Sequence, residues 1–230
     1  MSRKVTVFTN ICIATTLLVL TLVVFMVDIT AIYLTVSAPL YSGNRDRNNV
    51  SFMINVHGGE EYVTPIMEVL ESKDVGATWF LSGNWVTRNM QTARDIADRF
   101  EIGNHAFSHR DMRNMRESDQ HAEMQNAREV IKSVTGEHTS LFAPPFGSFG
   151  RSTLRVADRL NYTTIMWSRD TIDWRDTDPD LIFNRATRNV RNGDLVLIHP
   201  TAHTLLALPH IIDYYLSNGF NIVPVSRNIA

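Results

Sequence analysis

Two histidines, His105 and His109, frame the sequence His-Ala-Phe-Ser-His, directly after a short apolar segment that ends in Gly103-Asn104. An i, i+4 spacing corresponds to about one helical turn or to the span of a tight loop, so both imidazoles can point at one ion. Imidazole nitrogens are common ligands of zinc and related divalent metals. The pair predicts a metal site if other polar side chains reach the same place.

Short β-rich runs alternate with amphipathic helical patterns along the chain. The predicted strands cover residues 50–56, 77–81, 101–104, 141–143, 164–167, 195–198 and 221–225. Helices are predicted at residues 91–99, 118–134, 152–160, 180–189 and 205–216, and another begins at Thr64-Pro65, an N-cap followed by a first-turn proline. This alternation predicts an α/β fold of parallel βα units, either a barrel or an open doubly wound sheet.

Polar motifs follow five of the predicted strands, where either fold places its active site. These motifs are Asn55-Val56-His57-Gly58, Asn104-His105, Ala143-Pro144-Pro145-Phe146-Gly147, the segment from Ser168 to Trp174, and His199-Pro200. We therefore expect them to converge on one site.

Four of these segments together resemble the polysaccharide deacetylases, the NodB-homology group of carbohydrate esterases. They are residues 103–109, 142–147, 170–174 and 197–199, in the family's order, and the resemblance extends over residues 50–230. It implies a distorted, incomplete (β/α) barrel of about seven strands.

The resemblance also implies a role for each motif. His105 and His109 would hold a divalent metal, usually zinc, that polarises the N-acetyl carbonyl and activates water. His199 would be the general acid that protonates the leaving amine, and Asp173, with Asp170 as a less certain neighbour, would orient it. The substrate-binding residues would be Pro144, Pro145, Phe146 with its backbone N–H as an oxyanion donor, and Trp174 and Leu197 around the acetate methyl. The proline pair could instead only stiffen its loop.

The first motif departs from the family pattern Thr-Phe-Asp-Asp-Gly. Asn55 stands at the position of the catalytic base and Val56 at that of a metal ligand, and Ala143 replaces an arginine that usually steadies the base. The substitutions resemble a divergent branch of sporulation-type deacetylases whose first motif carries Asn-Val. His57 could then supply a third metal ligand, and Glu60 or Glu61 could supply a carboxylate.

Two functions follow from this pattern. The first is a metal-dependent deacetylase that hydrolyses N-acetyl groups of cell-wall peptidoglycan or chitin-like sugars. The second is a catalytically weak or inactive carbohydrate-binding pseudoenzyme with the same fold, because an amide at Asn55 is not a base near neutral pH. The feature that discriminates them is whether a glutamate of residues 53–61 reaches the metal-bound water.

Composition excludes several other classes of protein. A formal net charge of -2 gives no electrostatic case for nucleic acid as a partner, and the single Cys12 excludes both an internal disulfide framework and a cysteine-based zinc site. The sequence does not indicate an oligomeric state.

The amino-terminal segment is apolar. Residues 5–27 contain no charged side chain and follow Arg3-Lys4, which predicts a single-pass membrane anchor with the remainder of the chain outside the cytoplasm. A cleaved signal peptide is the alternative, although Pro39 follows the small residues at 36–38. The expected organisation is therefore a cytosolic tip and anchor at residues 1–28, a tether at 29–49 and the catalytic domain at 50–230.

Overall fold

The computed structural model describes residues 3–34 and 36–230, except for the side chains of residues 3–6, 8–9 and 27–34. The chain divides into two units, Met1–Val36 and Ser37–Ala230. The first contains helix α1 (Arg3–Leu34). Among the described residues, no helix has both the length and the apolarity needed to cross a membrane. The anchor predicted at residues 5–27 lies partly outside the described side chains and stays a prediction.

The second unit is built on one sheet whose ladders are all parallel. Its strands are β1 (Asn49–Val56), β2 (Thr78–Leu81), β3 (Glu101–Asn104), β4 (Leu141–Phe142), β5 (Thr163–Thr164), β6 (Arg169–Asp170), β7 (Asp194–Ile198) and β8 (Asn221–Ile222). Seven of them follow the order β5-β4-β3-β2-β1-β7-β6, and β8 pairs with the start of β1. The parallel α/β architecture predicted from the sequence is confirmed. The two-residue strand β6 was not predicted, because a run this short carries no periodicity.

Helices connect most of the strands. They are α2 (Glu60–Ser72), α3 (Gly83–Arg88), α4 (Met90–Ala97), α5 (Glu117–Thr135), α6 (Arg151–Arg159), α7 (Pro179–Thr187), α8 (Ala202–Ser217) and α9 (Val225–Ile229). The predicted helix start at Thr64-Pro65 is wrong, because α2 begins at Glu60 and includes Pro65. The reason is Gly59, whose left-handed conformation (φ 75°) turns the chain into the helix one turn earlier.

Strand β1 is buried along its whole length and lies in the interior of the sheet, between β2 and β7. Its side chains alternate between the two faces. Val50, Phe52, Ile54 and Val56 pack into the core between the sheet and the helices, whereas Met53 packs into a smaller cluster on the inner face. Asn55 therefore faces inward with Met53, and Val56, at the predicted ligand position, faces the outer core.

The predicted tether at residues 29–49 is corrected from Ser37 onward, because these residues belong to the compact second unit. Leu40 forms a bridge with Ile165, which follows β5, and Ser42 forms a bridge with Asp194 of β7. The short segment from Leu40 to Ser42 thus contacts the chain near both edges of the open sheet. The sheet must therefore be curled, because in a flat sheet these edges would be too far apart. Backbone hydrogen bonds make these contacts, as in Gly43 N to Gly193 O (2.7 Å), and they require no apolar pattern in the sequence.

Candidate active site

A cavity of about 410 Å³ opens at the carboxyl ends of the central strands. Its lining brings together residues from all five polar motifs, as the sequence predicted. The lining residues are Asn55, His57, His105, His109, Phe146, Gly147, Trp167, Asp170, Trp174, Leu197 and His199.

His105 is held in one orientation at the end of β3. Its side chain is 1% exposed, and its Nδ1 lies 2.7 Å from the carbonyl oxygen of Ala143. Because a carbonyl only accepts hydrogen bonds, Nδ1 carries the proton and donates it, which leaves Nε2 with a free lone pair. Metal-binding histidines are commonly held by this second hydrogen bond.

His57 and His109 contact each other in the lining of the cavity. Their rings stack with centroids 3.8 Å apart and planes 20° apart, and the rings of His109 and His105 lie 4.9 Å apart. The loop of His57 reaches this place because Gly59 passes close to the loop after β7. A Cβ on Gly59 would lie 2.1 Å from the carbonyl oxygen of Pro200, so no other residue fits there without a shift.

The environment keeps these imidazoles neutral. Burial lowers the pKa of His105 well below its ordinary value, and repulsion from His109 lowers it further. Burial, followed by repulsion from His57 and His199, lowers the pKa of His109 to about 4. Burial and the charge of His199 also lower the pKa of His57. A neutral imidazole is the form that binds a metal.

Within the described part of the chain, no group of three or more His, Cys, Asp or Glu side chains is arranged to hold a metal ion. The stack of His57 on His109 is one reason, since ring nitrogens in nearly parallel planes do not point at a common centre. The donor chemistry nevertheless fits zinc, because three neutral imidazoles share the cavity and His105 has Nε2 free.

Asp173 and His199 form a hydrogen-bonded pair in which Asp173 is buried and the half-buried His199 lines the cavity. Nδ1 of His199 lies 2.8 Å from Oδ1 of Asp173, whose Oδ2 accepts hydrogen bonds from His199 N (2.6 Å) and from the hydroxyl of Thr204 (2.5 Å). The carboxylate fixes the imidazole with Nδ1 protonated, so that Nε2 is the atom left for chemistry in the cavity. Thr204 was not identified from the sequence, because it lies on α8 outside any motif.

Asn55 lines the cavity with its side chain almost fully buried (3% exposed). Its Oδ1 has no hydrogen-bond partner among the described residues. A buried oxygen without a partner costs free energy, which a bound water or a substrate N–H would recover.

Glu60 and Glu61, the predicted alternative carboxylates, are both exposed at the start of α2 and do not line the cavity. Glu60 instead approaches Arg88 (3.9 Å). Asp170 is the carboxylate that lines the cavity. Its Oδ1 accepts a hydrogen bond from the backbone N–H of Ile172 (2.8 Å) and so caps the turn before Asp173.

Two exposed aromatic side chains form the rim of the cavity. Phe146 is 67% exposed and Trp174 is 60% exposed, and the ring of Phe146 lies 4.5 Å from that of His109. Leu197 lies deeper, as part of β7. Pro144 and Pro145 are buried behind Phe146 and do not line the cavity, so the structure does not bring the proline pair together with the other predicted substrate-binding residues.

Left-handed backbone conformations cluster around the cavity. Ala106, His109, Phe146 and Ile172 all have φ between 54° and 59° without being glycine. Such residues cost free energy and are often found at functional sites. Phe146 and His109 owe their orientation in the cavity to these turns.

A polysaccharide deacetylase family model matches residues 43–165, which is more than half of the chain. The chain belongs to the polysaccharide deacetylase family. Strands β1 to β5, with the inward Asn55 and the two histidines of the second motif, lie within the matched range, whereas β6 to β8, Asp173 and His199 lie beyond it.

Two curated relatives illustrate the range of similarity. The YlxY protein of Bacillus subtilis is 36% identical over 190 residues, which cover 82% of this chain and 60% of that protein. A peptidoglycan-N-acetylglucosamine deacetylase of Bacillus cereus is 26% identical over 162 residues, which cover 70% of this chain and 59% of that protein. The chain thus spans about 60% of the length of these relatives.

A similar solved structure is a pseudoenzyme of the carbohydrate esterase 4 (CE4) family from Bacillus anthracis. It is 36% identical with a TM-score of 0.82, and the match covers 84% of this chain and 69% of that chain. A mutant of that pseudoenzyme with restored enzymatic activity matches with the same TM-score of 0.82 and 34% identity. The polysaccharide deacetylase fold of this chain, a curled and incomplete (β/α) barrel, is therefore confirmed.

Proposed function

We propose that this chain is a slow, metal-dependent N-deacetylase of cell-wall polysaccharide, with peptidoglycan or a chitin-like polymer as its substrate. The observation that carries the proposal is the convergence of His105, His109 and the Asp173–His199 pair on one cavity with an aromatic rim. Family membership and the similarity to peptidoglycan deacetylases support the same substrate class.

The chain's own residues account for binding and proton transfer. Exposed aromatic faces such as Phe146 and Trp174 offer apolar surface to sugar rings, and Leu197 contributes apolar surface for the acetyl methyl. His199 would donate a proton from Nε2 to the leaving amine, because Asp173 holds its Nδ1. The backbone N–H of Phe146 would donate to the developing oxyanion.

His105 and His109 would hold the metal ion, with His57 as the candidate third ligand. When bound, zinc or a related divalent ion would polarise the acetamide carbonyl and lower the pKa of water. Asn55 would orient this water through Oδ1, which has no other partner among the described residues. The step is slow because an amide orients water but does not remove its proton.

Binding without turnover is the second candidate function, and specific observations favour it. Asn55 is buried at the base position, Val56 packs into the outer core, and both Glu60 and Glu61 are exposed away from the cavity. The similar Bacillus anthracis structure is described as a pseudoenzyme. In that case the protein would retain glycan in the same cavity without releasing acetate.

We also propose that the second unit works outside the cytoplasmic membrane, where cell-wall polysaccharide lies. The charge-free residues 5–27 after Arg3-Lys4 support a single-pass anchor with this orientation.

Acetate release from glycol chitin and from peptidoglycan, measured together with the metal content of the purified protein, tests the proposal. Slow release that requires the metal and is abolished by a chelator is expected. Glycan binding at full metal occupancy without acetate release would favour the second candidate function, binding without turnover. The absence of both glycan binding and acetate release would contradict both functions.

A further inference from the structure

Glu123 lies on the buried face of α5, where a carboxylate is unexpected. Its side chain is 9% exposed, and the neighbouring buried residues of this helix include Met124, Ala127 and Ile131. Burying a charge is costly unless it is paired or hydrogen-bonded. Among the described residues, no lysine or arginine forms an ion pair with Glu123, so its partners must be of another kind.

The partners of Glu123 are all in the loop between His105 and His109. Oε2 accepts hydrogen bonds from the backbone N–H groups of Phe107 (3.0 Å) and Ser108 (2.7 Å), and Oε1 accepts one from the hydroxyl of Ser108. Two successive N–H groups aimed at one anion form a backbone anion site, here filled by the protein's own carboxylate.

The loop needs such a partner because its backbone is strained. Ala106 (φ 59°) and His109 (φ 54°) are left-handed on either side of Phe107 and Ser108. Neutral hydrogen bonds support the first half of the loop, from Ala106 N to Asn104 Oδ1 (2.8 Å) and from Asn84 N to Phe107 O (2.8 Å). Glu123 is the charged group in this set, and charge-assisted hydrogen bonds are the stronger kind.

We propose that Glu123 is a positioning residue: its carboxylate holds the loop between His105 and His109 in the conformation that presents both imidazoles to the cavity. His105 is anchored independently by its ring hydrogen bond to Ala143, so the residue that Glu123 controls most directly is His109. The part of this inference that concerns metal affinity rests on the proposed function, whereas the loop conformation does not.

The substitution Glu123→Gln tests the proposal, with Glu129→Gln as its matched control. Both residues are on α5 and both changes remove one negative charge, but Glu129 is exposed. Gln keeps one acceptor oxygen and replaces the other by an NH₂ group that cannot accept from the loop. The readouts are zinc affinity by competition with a chromophoric chelator, hydrogen exchange at residues 107–108, and the ring signals of His109 in the metal-free protein.

Glu123→Gln should weaken zinc affinity about 10- to 100-fold, the usual effect of removing a group that supports a metal ligand. It should also speed loop exchange and shift the His109 ring signals, while Glu129→Gln leaves all three readouts unchanged. Unaltered zinc affinity, exchange and ring signals in Glu123→Gln would overturn the proposal, as would a loss of thermal stability alone. If the wild type binds no zinc, the proposed metal dependence is contradicted. Hydrogen exchange at residues 107–108 and the ring signals of His109 then still decide the role of Glu123.

Discussion

The imidazole rings of His57 and His109 stack at a centroid distance of 3.8 Å, although one follows the first strand of the sheet and the other follows the third. Two neutral rings can pack in this way, but two protonated rings would repel each other. The stack therefore belongs to the metal-free, neutral form of the site. It places a third imidazole beside the His105–His109 pair, and His57 directly follows Val56, the position at which the family pattern has a carboxylate ligand.

The acid stability of the metal-free protein should reflect this cluster. The pKa of His109 is lowered from its ordinary 6.5 to about 4, so between these values the unfolded chain binds a proton that the folded chain does not. Stability is fully present above about pH 6.5 and is lost progressively as the pH falls towards 4. His109→Gln should reduce this loss in urea denaturation with chelator, while the exposed His121→Gln should not. If the free energy of unfolding fell equally with pH in the wild type, His109→Gln and His121→Gln, His109 would not be the source of the acid sensitivity.

Removing both histidines of the second motif should abolish stoichiometric metal binding. The double substitution His105→Ala, His109→Ala removes two imidazoles from the cavity and should leave the parallel sheet largely intact. Metal content after dialysis, together with far-UV circular dichroism, measures both effects. His138→Ala, at an exposed position, is the control. A full equivalent of tightly bound metal in the double variant would show that the ion lies elsewhere.

Asn55→Asp should raise acetate release. The change is nearly isosteric, places a carboxylate in the cavity and supplies the general base, which typically contributes about 10²- to 10⁴-fold. A nearby metal cation keeps this carboxylate ionised at neutral pH. The gain should be partial, because Ala143 offers no arginine partner and Val56 faces the outer core.

Acetate release by the wild type and by Asn55→Asp, at matched metal occupancy and over a pH series, measures this effect. A fast wild type that the substitution does not improve would mean that another group is the base, and Asp170 is the carboxylate in the cavity to test next. If neither the wild type nor Asn55→Asp released acetate, the function of glycan binding without turnover would be favoured.

Asp173→Asn should impair both folding stability and turnover. The carboxylate accepts from His199 N and from the Thr204 hydroxyl and orients the His199 ring, and an amide cannot make all three contacts. We expect the free energy of unfolding to fall by about 1–3 kcal/mol. Acetate release, measured in the wild type or in Asn55→Asp, whichever is active, should fall by about 10²- to 10⁴-fold. Asp213→Asn, on the exposed side of α8, is the control for urea denaturation and activity. Undiminished acetate release would remove His199 from the role of general acid.

The amino-terminal segment should keep the protein in the membrane fraction. Residues 5–27 carry no charge, and Arg3-Lys4 precede them, so the second unit should be accessible to protease added outside intact cells. Fractionation and protease protection measure this. Mature protein in the medium with a new amino terminus near Pro39 or Tyr41 would show a cleaved signal instead.

The sequence alone determined the parallel α/β fold and the residues at the strand ends. The buried strands β1 and β7 contain the apolar runs 52–54 and 195–198. The polar residues Asn55 and His199 follow these runs directly, so the pattern along the chain was sufficient to find them. The departure at Asn55 and Val56 is also a matter of residue identity, which needs no coordinates.

Only the tertiary structure decided which of these side chains meet. Backbone alternation turns Asn55 inward and Val56 outward, and the approach of Gly59 to Pro200 brings His57 into the cavity while Glu60 and Glu61 remain outside. Glu123 and Thr204 lie on helices distant in sequence from the loops that they support, and their roles depend on long-range hydrogen bonds. The segment from Ser37 to Asn44 joins the fold through backbone groups, which every residue has and which no sequence pattern reveals.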